Sequence, residues 1–112
     1  MKELETTFTG RGEVKGFTFN QIKKNDHAYI YLVDAGKDKY FEVFERKENT
    51  QFNNVSYPGS KSFGISAWTT TDLKSALQKF NEITQNVQNR LKTGKNSIKP
   101  ENKQSDTIIP LN

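Results

Sequence analysis

Asp34, Glu45 and Lys47 are the residues whose types could support metal-assisted phosphodiester chemistry. Glu45 and Lys47 are two positions apart, so on a strand both project from one face. An aspartate beside them would complete a set in which two carboxylates hold a divalent cation and the lysine polarises an attacking water. Phe41 and Val43 share the parity of Glu45 and Lys47, so the same face also reads as a core that frays into solvent. A nucleophilic triad needs a base beside a Ser, Thr or Cys. The sequence has no cysteine and one histidine, His27, placed directly after a turn signal. That inventory also excludes an ordinary zinc site. No catalytic residue, metal or cofactor is expected.

Asp34 with Glu45-Arg46-Lys47 resembles the metal-binding arrangement of restriction-endonuclease-type nucleases, although the helices that flank it in that class are missing. Lys15-Gly16-Phe17-Thr18-Phe19-Asn20-Gln21-Ile22 resembles the ribonucleoprotein-1 pattern of RNA-recognition and cold-shock domains. The resemblance implies that Phe17 and Phe19 stack bases while Lys15 reaches a phosphate. Thr18 departs from the small residue of that pattern, and Ile22 replaces its last aromatic. The reading preferred from the residues alone is that Phe17 and Phe19 face a helix as core. A second aromatic group is Tyr29, Tyr31, Tyr40 and Phe44. Left uncovered, it would be a binding surface. Covered by Leu4–Phe8 or by the Gln51–Tyr57 loop, it would be core. The basic candidates are Lys15, Arg46, Lys47, Arg90, Lys92 and Lys95.

These side chains need a sheet and one helix to position them. Period-two alternation marks strands from Glu13 to Lys23, His27 to Asp34 and Lys39 to Lys47, with turn chemistry at Asn25-Asp26 and Ala35-Gly36-Lys37-Asp38. On the second strand Ala28, Ile30 and Leu32 share one face and Tyr29, Tyr31 and Val33 the other. Both faces are apolar, so this strand is central. Val55–Tyr57 and Phe63–Thr69 read as further short strands, and Leu4–Thr9 is open as an edge strand. The period then changes. Leu73, Ala76, Leu77, Phe80, Ile83, Val87 and Leu91 form one stripe of an amphipathic helix over 72–92, capped by Thr71 or Asp72 and stopped at Gly94. The expectation is an α+β domain over 4–92, an antiparallel meander of four to five strands with the helix packed on one face.

The chain has 112 residues and a formal charge of +4. Residues 1–72 hold ten basic and ten acidic side chains, and residues 73–112 hold seven and three, so the whole excess lies in the helix and tail. Residues 93–112 are expected to be a disordered basic tail, ending in the apolar Ile108-Ile109-Pro110-Leu111. No segment approaches the roughly 20 apolar residues of a membrane span. The N-terminus has no apolar leader, so a cytoplasmic location is expected. Gly12 through Phe17, Tyr40 through Phe44 and Ser62 through Ile83 together resemble a type of small uncharacterised protein of bacteria, phages and mobile elements. That likeness implies no activity and no site residues. The strand running into a capped helix resembles WGR-type DNA-binding modules. Two readings follow. One is a non-catalytic, nucleic-acid-associated accessory module with a basic tail. The other is a protein-interaction module using the aromatic sheet face or Ile-Ile-Pro-Leu.

Overall fold

The computed structural model describes residues 1–96, with side chains described through Lys92. Its elements are β1 (Thr7–Thr9), β2 (Thr18–Lys24), β3 (Ala28–Asp34), β4 (Lys39–Glu45), β5 (Lys47–Asn49), β6 (Asn54–Ser56), β7 (Ala67–Thr70) and α1 (Leu73–Asn96). Five strands form one antiparallel sheet in the order β1-β2-β3-β4-β7. The β5–β6 hairpin is a separate two-stranded excursion between β4 and β7. Helix α1 packs against β3, β4 and β7. The fold is therefore α+β, with one C-terminal helix on one face of the sheet.

Strand β3 is central and buried on both faces, as its two apolar parities require. Ala28 and Ile30 join Val43, Ala76, Phe80, Ile83 and Val87 beneath the helix, with Phe41, Trp68 and Leu77 at the margin. Tyr29, Tyr31 and Val33 join Phe19, Phe44, Val55 and Ala67 on the far face. Asp72 caps α1. Its carboxylate accepts from the Ser75 amide and hydroxyl, each at 2.8 Å. These bonds and the nearby amide dipoles favour the charged carboxylate and lower its pKa.

Several expectations change. Phe19 does not face the helix. It lies opposite Val33 in the β2–β3 register, so it shares the far face with Tyr29 and Tyr31. Phe17, just before β2, packs against that same core. Alternation establishes that Phe17 and Phe19 share a face, but only the pairing partner decides which face it is. The strand expected from Glu13 begins at Thr18. Gly12 (φ 61°) and Gly16 (φ 90°) take left-handed backbone around a short 3-10 turn at Gly12–Val14. A register shift between Gln21 and Lys23 leaves Ile22 unpaired. The last strand starts at Ala67, because Ser60–Ser62 forms another 3-10 turn and Gly64 has φ 89°.

Gly94 lies inside α1. Glycine permits a helix to stop through left-handed backbone but does not impose it. Backbone hydrogen bonds also tie residue 2 to the β5–β6 hairpin. The Lys2 amide donates to the Asn53 carbonyl at 3.0 Å, and the Val55 amide donates to the Lys2 carbonyl at 2.8 Å. The remainder of the expected tail, including Ile108–Leu111, lies outside the described residues.

One close approach was invisible in the sequence. A Cβ on Gly10 would meet the Val14 carbonyl and lie 2.7 Å from its side chain and 3.1 Å from the Phe19 ring. Gly10→Ala should therefore overpack the turn that closes on β1 and destabilise the fold by about 1–3 kcal/mol. Urea denaturation should show a lower midpoint with an unchanged slope.

Candidate functional site

The N-terminal strap decides the fate of the aromatic face. Strand β1 pairs with β2, with Phe8 opposite Phe19. The Phe8 ring stacks on Phe19 with centroids 4.7 Å apart. Tyr57, just after β6, sets its ring edge-on against Phe44 at 5.1 Å and Phe19 at 5.6 Å. Edge-to-face and offset contacts of this kind are favourable arrangements of aromatic quadrupoles. Leu4, Val14 and Phe63 complete the cover.

The strap also supplies polar partners. The Tyr31 hydroxyl donates to the Glu5 carbonyl at 2.5 Å and accepts from the Gln21 side-chain amide at 3.0 Å. The Tyr29 hydroxyl donates to the Glu3 carboxylate. Arg46 grips that carboxylate through Nε at 3.1 Å and Nη2 at 2.7 Å, and donates to Glu48 through Nη1 at 2.7 Å. The Arg46 bonds, followed by the Tyr29 bond, hold Glu3 down to about pKa 2. Burial, then the Glu3 bond, raises Tyr29 to about 12. Burial also raises Tyr31.

The proposed aromatic binding surface is thus corrected. Tyr29, Tyr31 and Phe44 have no exposed area, and Tyr40 is half-buried against the same core. No base or partner can reach the first three while the strap is in place. Arg46 is likewise committed. Its side chain is mostly buried and satisfies Glu3 and Glu48.

Sequence reasoning passed over Glu42. It lies in the middle of β4, opposite Tyr31 on one side and Thr69 on the other. It is buried, and its Oε1 has no hydrogen-bond partner. Burial pushes its pKa up to about 7, because desolvation disfavours the charged form. The signal was present as a lone carboxylate inside Tyr40-Phe41-Glu42-Val43-Phe44, at the parity of Tyr40 and Phe44.

The nuclease-like set does not assemble. Asp34 pairs with Lys39 at one end of the β3–β4 ladder, and Glu45 pairs with Ala28 at the other. Six residues of strand separate them, on the order of 20 Å. Asp34 instead accepts from the Gly36 amide at 2.9 Å, and Glu45 accepts from Arg90 at 2.6 Å. Among the described residues no three His, Asp or Glu side chains cluster in a metal-binding arrangement.

What does converge is charge. Strand β2 ends, β3 begins and β4 ends at one pole of the sheet, and α1 delivers its last turns there. The Arg46 amide donates to the His27 carbonyl at 2.8 Å. Asn25 donates to the Thr84 hydroxyl at 2.9 Å, tying the β2–β3 turn to the helix. Lys23, Lys24, Lys47 and Arg90 therefore share this end of the sheet, Lys23 on the helix side and Lys24 on the strap side, and Lys92 follows on the helix. No family model, curated protein or solved structure matches this chain. Lys23 lies 5.4 Å from the Phe80 ring centroid, and Lys24 lies 3.6 Å from Glu3. Lys47 is exposed and makes no ion pair among the described residues. Lys15 stands apart, before β2 at the opposite end of that strand. The Lys95 side chain lies outside the described residues.

The two shifted carboxylates act oppositely on stability. Glu3 is more acidic folded than unfolded, so its contribution is complete above about pH 4.5 and is lost as pH falls toward 2. Its carboxylate is 37% exposed, and solvent screening reduces that contribution. Glu42 binds its proton more tightly when folded, so stability falls as pH rises from about 4.5 to 7 and is level above. At about 1.4 kcal/mol per pKa unit, that loss is on the order of 3 kcal/mol. Denaturation midpoints across pH should peak near 4.5, and Glu42→Gln should remove most of the fall between 4.5 and 7.

Proposed function

We propose that this protein is a non-catalytic binding module that holds nucleic acid through its phosphate backbone at the basic pole. The observation that carries this reading is the convergence of Lys23, Lys24, Lys47, Arg90 and Lys92, which are remote in sequence, on one end of the sheet. The sequence continues the same charge through Lys95, Lys99 and Lys103. Glu3, Asp26, Glu45 and Glu48 share the pole and offset part of it, which suits modest, salt-sensitive attraction. The strap and Tyr57 cover Tyr29, Tyr31 and Phe44, and the helix covers the other face of β3, β4 and β7, so base reading by the aromatic centre of the sheet has no support. The alternative of a protein-interaction module loses the aromatic face for the same reason, and its Ile-Ile-Pro-Leu route lies outside the described residues.

Binding of the full chain to labelled single- and double-stranded DNA and RNA, followed across salt concentration, tests the proposal. The expected slope of log affinity against log salt is about −2 to −4, the release of a few counterions. Lys23→Glu combined with Lys47→Glu should weaken binding about tenfold or more and flatten that slope by about 2. Deleting residues 93–112 should weaken binding without abolishing it. Absence of binding at low salt, or an affinity indifferent to salt, would overturn the proposal.

A further inference from the structure

We propose that Phe52 is the base-stacking residue of this module, and that its preferred nucleic acid is therefore single-stranded. The inference rests on the nucleic-acid reading above and adds a residue and a substrate class to it. All thirteen aromatic residues lie within the described part of the chain, and Phe52 is the one among them that is prominently exposed, at 66%.

Its exposure is built into the turn. Phe52 sits at the tip of the β5–β6 hairpin. The Asn49 side-chain oxygen accepts from the Gln51 amide at 3.1 Å and the Phe52 amide at 3.3 Å. Asn53 takes left-handed backbone at φ 53°, a conformation Asn tolerates better than most residues. The far side of the turn is fastened to the N-terminus by the Lys2 amide at 3.0 Å from the Asn53 carbonyl. The tip is thus a hydrogen-bonded turn fixed to the domain that presents a ring outward.

The surroundings select the ligand. From Asn49 to Thr71 the chain contains no Asp or Glu. Exposed Gln51 and Asn53 flank the ring with amide donors and acceptors suited to base edges. Lys2 bridges to Asn54 beside the turn, and Lys47 stands at the base of the same hairpin, paired with Ser56. An aromatic ring among amides and lysines is the composition of a single-strand stacking site. A protein hot spot would instead need a closed apolar surround, which these polar neighbours do not provide. A duplex keeps its base faces stacked inside and offers a ring at a turn tip nothing comparable.

Phe52→Ala and Phe52→Trp in the full chain separate the possibilities, with thermal melting as the check that both variants fold. Anisotropy with a labelled oligonucleotide and with its duplex should show Phe52→Ala losing about tenfold in single-strand affinity with duplex affinity unchanged. Phe52→Trp should retain binding, and its added emission should be quenched by the single strand. Unchanged single-strand affinity in Phe52→Ala, alongside wild-type binding, would overturn the stacking role and leave the phosphate-binding pole standing. Equal loss on single strand and duplex would overturn it as well. Failure of the wild type to bind any nucleic acid at low salt would remove both proposals. Co-purification of a protein whose capture requires Phe52 would assign the tip to protein contact and overturn the inference.

Discussion

Much of the molecule depends on one tie, the Glu3 carboxylate held by the Tyr29 hydroxyl and the Arg46 guanidinium. Tyr29 belongs to the central strand, Arg46 follows β4, and Glu3 comes from the N-terminal strap. A single carboxylate thereby fastens the strap to the middle of the sheet. Charge-assisted and bidentate bonds of this kind are stronger and more directional than neutral ones. The strap then carries Leu4 and Phe8 over an aromatic layer and supplies a carbonyl to the Tyr31 hydroxyl. Without it, two phenol groups and three large rings would meet water.

Where the surface chemistry lies follows from that closure. A sheet covered by a helix on one face and by the strap with Tyr57 on the other has no open strand surface over its aromatic centre. Arg46, the best-placed guanidinium on the far side, is spent on the tie. The remaining cations sit where strand ends and the helix terminus meet, and the ring left outside sits on the hairpin inserted between β4 and β7. The residues proposed to bind are thus separated in space from those that build the core. Aromatic residues of β2, β3 and β4 build core, while lysines at the pole and the hairpin tip face solvent. Among the described residues, Glu42 Oε1 and the Tyr57 hydroxyl are buried without partners, and Glu42 is the ionisable acid of the two. Its desolvation opposes the stabilisation that Glu3 provides, which places the two carboxylates on opposite sides of the stability maximum.

The architecture was legible because it rests on local periodicity. The two apolar parities of Ala28–Asp34 identify a central strand, and the Leu73–Leu91 stripe identifies the helix and its partner face. Asp72, one of the two capping residues offered by the sequence, is the one that caps. The choices that failed depend on information between segments. Phe17 and Phe19 have the same alternation whichever side they face, and only pairing of Phe19 with Val33 settles it. Arg46 looks like a free cation until Glu3, 43 residues away in sequence, is brought to it. Asp34, Glu45 and Lys47 have suitable types and parity, but an antiparallel register sets Asp34 and Glu45 at opposite ends of a hairpin. Phe52 reads as an ordinary residue of a polar loop, and its exposure emerges only from the Asn49-capped turn.

Hydroxyl-radical footprinting of the folded chain measures the burial of the aromatic face directly. Tyr29, Tyr31 and Phe44 should be protected, while Phe52 and Ile65 should be oxidised rapidly. Oxidation of Tyr29 and Tyr31 at rates comparable to Phe52 in the folded protein would contradict that burial. That result would restore the sheet face as the binding surface.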